Sequence, residues 1–426
     1  MSIYNEDELV PPSWINQEFL QKVLKQYENN EHLKINNFVL SPATLKGDHY
    51  GSIMFRCKLT YDLDMEGIKQ QSFVIKTIPE EKCSKRDMLG ESGVFETEIS
   101  MSLYIDISLY TLPKIEKILQ EIGEPTKMAA QLIYHSLEPH QVIIIEDLCE
   151  AGYNTIRGRH LTEDEIKMVY TKIAKFHAVS HLLSLGEDHE IVTKYEKGFF
   201  SNSAIMSMDF IRNGIWNFIQ MLSEHQEFSV YLEKVKLMQP HMMKSCMDLY
   251  NAYKLNKGQG DIFVLNHGDF HNKNLMFKFN KQNQLDDVIF VDYQLNCFAP
   301  SAVDTIYSQY TMLSPELRLR RNEFMLHYFT EFIRVLKSFK YQGELPRYSD
   351  FQIAGYKYRY FALLLMSTFV PMFGDAITSK AEDLKDFDSS NFLENAAAIS
   401  LAYKNTRFLT DMRNYLPEML RDGYLD

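Results

Sequence analysis

Cysteine is scarce in this chain: five in 426 residues, at positions 57, 83, 149, 246 and 297, with no C-x-x-C pair. That excludes a disulfide-stapled scaffold and a cysteine zinc site, and leaves reduced thiols as the expectation. Basic charge is also short, with 45 Lys and Arg against 57 Asp and Glu and a formal net charge of −12. No general affinity for nucleic acid or anionic membrane is expected, since both need a basic face. Long apolar runs are missing. The most apolar stretch, Phe361 to Phe373, carries Pro371 and is too short to span a bilayer, so it reads as a buried helix. The polar, acidic start (Met-Ser-Ile-Tyr-Asn-Glu-Asp-Glu) is unlike a signal peptide. A cytoplasmic location is the expectation. Repeats and low-complexity linkers are absent too.

What is present suits a large globular chain: 45% hydrophobic and 24% charged residues, at a length that calls for two lobes. An amphipathic helix is expected after Ser13, with Trp14, Ile15, Phe19, Val23, Leu24 and Tyr27 on one stripe. Ser52 to Tyr61 alternates Ile53, Phe55, Cys57 and Leu59 with polar residues. With Gln71 to Ile78 it predicts a hairpin turning at Asp62 to Gly67. A helix fits Phe95 to Ser108 and a strand fits Gln141 to Ile145. Thr162 and Glu165 then stand in capping-box spacing before a long helical pattern through Leu183. A second hairpin, Asn274–Phe279 with Asp287–Val291, interrupts the helices that fill the rest. The order is therefore a small β-rich part (1–147) and a larger, mostly helical part (148–426), an α+β class.

The strongest chemical signal is His267-Gly268-Asp269-Phe270-His271-Asn272-Lys273-Asn274, then a hairpin, then Asp292, 18 residues beyond Asn274. Phosphoryl transfer needs a carboxylate to orient the attacking hydroxyl and oxygen ligands to hold magnesium on the phosphates. Asp269 suits the first role; Asn274 and Asp292 suit the second. A metal site built from His267, Asp269 and His271 is the rival reading, but His pairs at this spacing need a helix and Gly268 argues for a loop. Upstream, Lys76 ends a strand-like Phe73-Val74-Ile75-Lys76, where a lysine can hold phosphates if a glutamate fixes it. Glu96 and Glu98 are both placed to do so. The Thr44 to Ser52 segment, with Gly47 and Ser52, can cover phosphates but lacks a full G-x-G-x-x-G. Ile143-Ile144-Ile145-Glu146-Asp147-Leu148 reads as a core strand running into the lobe connection, where backbone groups of Glu146 and Leu148 can pair with adenine. His177 reads as a core histidine. Asp304 reads as a helix-start residue or a brace for the catalytic loop.

These residues resemble the ecdysteroid kinase-like family, related to choline kinases and aminoglycoside phosphotransferases. The matching segments are His267 to Asn274, Phe290 to Gln294, Phe73 to Pro79, Phe95 to Glu98, Ile145 to Leu148 and Ala174 to Ser180. The resemblance implies a two-lobed protein-kinase-like fold, Asp269 as base, magnesium on Asn274 and Asp292, and ATP phosphates on Lys76 paired with Glu98. It also implies a steroid-like alcohol as acceptor. Tyr293-Gln294 follows Asp292 where protein kinases have Phe-Gly, and no A-P-E-type segment follows, so a peptide platform is not expected. Acceptor contacts are expected from Phe199–Leu255 and Tyr356–Phe373, which are rich in aromatics and methionine. A small hydroxylated substrate is the one partner expected; no obligate protein partner is inferred.

Overall fold

A computed structural model of the chain describes residues 4–45, 52–63, 67–79, 94–102, 111–186, 190–196, 198–201, 203–255, 260–371 and 396–426. Cys83, Gly47 and residues 103–108 of the helix expected at Phe95 to Ser108 lie outside the described residues.

The N-terminal part is built on one antiparallel sheet. Its strands are β1 (Lys34–Pro42), β2 (Ile53–Asp62), β3 (Ile68–Thr77), β4 (Leu132–Ser136) and β5 (Val142–Glu146), in the order β1-β2-β3-β5-β4. The β2–β3 hairpin forms as the alternation predicts, with Ile53 opposite Thr77 and Leu63 N–H bonded to the Gly67 carbonyl (3.1 Å). In β2 every second side chain (Ile53, Phe55, Cys57, Leu59, Tyr61) is buried. Together with Phe73 and Ile75 they pack against Leu20, Val23 and Leu24 of the helix Gln17–Glu28. That helix starts later than its apolar stripe suggests. Asn16 caps it by accepting the Phe19 N–H (3.1 Å), and Trp14 stacks on His140 (centroids 4.4 Å apart) instead of joining the helix. The opposite face of the sheet carries Ile143 and packs on Phe95 and Ile99 of the helix Val94–Ser102.

Strands β1 and β4 are not evident in the sequence. Both are edge strands; β1 buries only Ile35 and Leu33 before it, and β4 is half-buried throughout. A strand with one neighbour and little burial has no need for strict alternation.

The C-terminal part is helical. Glu163–Ser184 opens on Thr162, whose hydroxyl accepts the Glu165 N–H (3.3 Å) while the Glu165 carboxylate accepts the Thr162 N–H (2.7 Å). This helix packs along Arg321–Ser338. Asp209–Glu224, Ser229–Tyr250 and Arg359–Ser367 form a second core, in which Phe361 through Ser367 are all buried. No helix among the described residues is long and apolar enough to cross a membrane. Two small sheets sit within this part. Strands β7 (Phe263–Asn266) and β10 (Cys297–Pro300) pair antiparallel, and β6 (Tyr153–Asn154), β8 (Leu275–Phe279) and β9 (Leu285–Phe290) make the other. The β8–β9 pair is the expected second hairpin. The whole is a two-lobed α+β fold, and the loop after β9 meets the sheet of the smaller lobe where Asp292 bonds to Lys76.

Candidate active site

Lys76 lies on β3 between Met54 of β2 and Ile143 of β5, on the face away from the N-terminal helix. Only 3% of it is exposed. A buried ammonium needs partners, and it has two: Glu98 Oε2 at 2.5 Å and Asp292 Oδ1 at 2.5 Å. Burial pushes the Lys76 pKa down, but the Asp292 and Glu98 carboxylates outweigh it and hold the ammonium above its ordinary range. Burial, with Asp292 alongside, raises Glu98 against the pull of Lys76. The two candidate glutamates are thus separated: Glu98 makes the bond, while Glu96 is exposed.

Asp292 follows β9 and takes a left-handed backbone (φ 66°), a conformation that costs a side-chain-bearing residue about 1–2 kcal/mol. The bond to Lys76 helps hold it there. The hairpin brings Asp292 next to Asn274, because Leu275 pairs with Phe290 and the Val291 N–H bonds to the Asn274 carbonyl (3.0 Å).

Asp269 sits in the turn after β7. Tyr307 donates its hydroxyl to Oδ1 (2.9 Å), His271 Nε2 approaches the same oxygen at 3.3 Å, and Asn274 Nδ2 donates to Oδ2 (3.2 Å) and to the Asp269 carbonyl (2.9 Å). Burial pushes this carboxyl up, yet His271, His267 and Tyr307 together hold it well below the usual carboxylate range. With its nitrogen turned to Asp269, Asn274 has its amide oxygen left to meet a cation. That oxygen and the Asp292 carboxylate are hard donors, few in number, which suits magnesium: it keeps waters and shares its shell with phosphates. Among the described residues no group of three or more His, Cys, Asp or Glu could hold a metal. His267 turns Nε2 to the Val291 carbonyl (3.0 Å), and His271 turns to Asp269.

The loop is braced from beneath by Asp304, on the helix Ala302–Thr311. Its carboxylate accepts the N–H groups of His267 (2.6 Å) and Gly268 (2.9 Å), and His177 Nε2 lies 3.1 Å away. His177 is also held by the Tyr328 hydroxyl (2.7 Å). Gly268 must be glycine. Its φ is 83°, and a Cβ there would lie 1.9 Å from the Leu295 carbonyl oxygen, a backbone atom that cannot move aside.

At the lobe connection the Glu146 N–H is already engaged. The Glu146 N–H bonds to the Gln131 carbonyl (2.9 Å) and its carboxylate bonds to Lys127 (2.5 Å), so that N–H is not open to a base. The residue between, Asp147, is pinned to the sheet by Arg56 (2.7 Å) and Ser72 (2.7 Å). The side chain of Leu148 is buried beside Tyr153 and Ile289, with Met276 and Val291 packed against them. Ser52 is buried just before β2, and residues 46–51 of the expected phosphate-covering segment lie outside the described residues. A residue missed in the sequence is Glu8. It is fully buried and accepts the Met54 N–H (2.8 Å) and the Thr44 hydroxyl (3.2 Å), tying the N-terminal segment to both flanks of that loop.

The segments expected to meet the acceptor reach this site through rings. Tyr307 packs on Phe361 (6.3 Å between centroids) and Phe369 (5.7 Å), and Phe369 on Phe199 (5.6 Å) and Phe210 (5.7 Å). Much of the remainder of those segments, including Phe218, Met221, Met238 and Met242, is ordinary core.

Among solved structures, the chain is similar to an ethanolamine kinase of Plasmodium vivax (15% identity, 93% of this chain and 91% of that one, TM-score 0.41). It is also similar to a spectinomycin phosphotransferase in complex with ADP and spectinomycin (13% identity, 92% and 99%, TM-score 0.41). A third is an aminoglycoside phosphotransferase in a ternary complex with streptomycin and ATP (14% identity, 88% and 99%, TM-score 0.33). No curated protein matches it. Residues 46–341, well over half of the 426, match the ecdysteroid kinase-like family, in a span that takes in Lys76, Glu98, Asp269, Asn274, Asp292 and Asp304. The chain belongs to the ecdysteroid kinase-like family.

Proposed function

We propose that the chain is a magnesium-dependent kinase that transfers the γ-phosphoryl group of ATP to a hydroxyl of an apolar small molecule, such as an ecdysteroid or another steroid-like or xenobiotic alcohol. The observation that carries the reading is the convergence of two sets on one hairpin. Lys76, Glu98 and Asp292 form one, and Asp269 and Asn274 form the other.

In this reading residues 1–147 bind the nucleotide and 148–426 supply the base and the acceptor site. Adenine pairs with the Glu146 carbonyl and the Leu148 N–H over the apolar patch of Leu148, Met276 and Val291. Lys76 exchanges Asp292 for phosphate oxygens, and Glu98 keeps its ammonium aimed. Asn274 and Asp292 hold magnesium, which when bound neutralises charge on the phosphate oxygens. Asp269 orients the acceptor hydroxyl and takes its proton. Little covalent chemistry is asked of the protein; positioning and charge supply the rate. The aromatic cluster of Tyr307, Phe361 and Phe369 favours an apolar acceptor. The four described cysteines are unpaired, which suits the reducing cytoplasm.

Acceptor class is tested with γ-labelled ATP and magnesium, on ecdysteroids, sterols and hydroxylated xenobiotics against choline, ethanolamine and aminoglycosides. Apolar alcohols are expected to be preferred by at least about tenfold in kcat/KM, the discrimination a modest difference in apolar contact provides. Preference for the charged amines would refute the apolar assignment.

A further inference from the structure

A carboxylate has about four lone-pair sites, two on each oxygen. On Asp269, Oδ1 faces two donors, the Tyr307 hydroxyl at 2.9 Å and His271 Nε2 at 3.3 Å. Oδ2 meets one, Asn274 Nδ2 at 3.2 Å. Among the described residues one lone pair is therefore left, on the oxygen beside Asn274. The Tyr307 phenol cannot drift: its ring is buried and held by Phe361 and Phe369, and the preceding turn of its helix carries Asp304, which grips the same loop from below. Burial and the neighbouring Asp269 raise the phenol far above its usual pKa, so it stays a donor.

We propose that Tyr307 is a positioning residue: it locks the plane of the Asp269 carboxylate, so that the oxygen beside Asn274 is the one that meets the hydroxyl to be phosphorylated. This rests on Asp269 being the base. In the step it serves, the acceptor O–H breaks and its proton goes to Asp269 Oδ2. The acceptor oxygen bonds to the γ-phosphorus, and the bond from that phosphorus to the β,γ-bridging oxygen breaks with its electron pair staying on ADP. A carboxylate free to rotate would meet the hydroxyl in the right plane only part of the time. The cost therefore falls on turnover, while the nucleotide, which in this reading meets Lys76, binds as before.

The test is Tyr307→Phe, which removes one oxygen and keeps the ring. Water can stand in for the acceptor, so the readout is basal hydrolysis of magnesium-ATP by the full chain, with no organic substrate needed. We expect kcat to fall about 10- to 100-fold, less than the loss of the proton acceptor itself, and KM for magnesium-ATP to hold within about twofold. The decisive measurement is the double variant: in an Asp269→Asn background, Tyr307→Phe should cost nothing further, because it acts through Asp269. Phe218→Leu, a core substitution whose ring packs on Phe408 (6.4 Å between centroids), controls for any loss of stability; at a matched melting temperature it should leave hydrolysis unchanged. Unchanged kcat in Tyr307→Phe, or losses that multiply in the double variant, would overturn the proposal. A wild-type chain that transfers phosphoryl to neither water nor any alcohol would overturn the reading of Asp269 as well, which separates the two failures.

Discussion

Asp269→Asn is expected to lower turnover by about 10²- to 10⁴-fold, the contribution of a positioned general base, with little change in fold or in nucleotide affinity. The substitution is isosteric. Its amide oxygen can still accept the Tyr307 hydroxyl at Oδ1, but its NH₂ would then face the Asn274 NH₂ where Oδ2 now accepts. One hydrogen bond is lost, worth about 1 kcal/mol, which a chain of this size tolerates. The nucleotide side is largely spared because Lys76, Glu98 and Asp292 make their contacts to one another, and Asn274 keeps its bond to the Asp269 carbonyl (2.9 Å). Steady-state kinetics with a melting curve and a nucleotide titration checks all three parts. Normal turnover by the variant would remove Asp269 from the chemistry.

Asp304→Ala should do the opposite: damage structure first, and activity through it. The carboxylate is 1% exposed and collects two backbone N–H groups of the loop that carries Asp269 and a histidine. Truncation strands all three. Each unsatisfied buried donor costs about 1–3 kcal/mol, so a loss of about 3 kcal/mol or more is expected, along with collapse of the turn that presents Asp269. Asp304→Asn should recover only part, since one amide oxygen cannot serve three donors and its NH₂ would confront one of them. Chemical denaturation of the two variants against wild type checks this. A stability within about 0.5 kcal/mol of wild type for Asp304→Ala, the usual effect of a surface substitution, would mean that the loop is held from elsewhere.

These two carboxylates also mark how far the sequence can be read. Asp269, Asn274 and Asp292 are legible because their chemistry is packed into one loop and one hairpin, where spacing alone implies proximity. Lys76 is legible by its place on a strand, but the choice between Glu98 and Glu96 is not. Helix phase decides it, and the first turn of that helix has weak amphipathic patterning. Asp304 is readable as a possible brace from its position at a helix start, but its three donors come from Gly268, His267 and His177, up to 127 residues away. Tyr307 stands three residues after Asp304, one turn along the same helix, and the 38 residues separating it from Asp269 hide the contact. Glu146 shows the converse. Its sequence context predicts exposed backbone groups without saying which, and the edge strand β4, invisible in the pattern, brings the Gln131 carbonyl to the N–H.

The central claim is that this site moves a phosphoryl group from ATP to a small alcohol. The direct measurement is mass spectrometry of a hydroxylated lipid extract incubated with the full chain, magnesium and ATP, with Asp269→Asn in parallel. Wild type should form a phosphorylated small molecule one-for-one with ADP, and the variant should form none. ATP binding without any phosphorylated product, across that extract and the defined panel, would contradict it and leave a nucleotide-binding protein that does no chemistry.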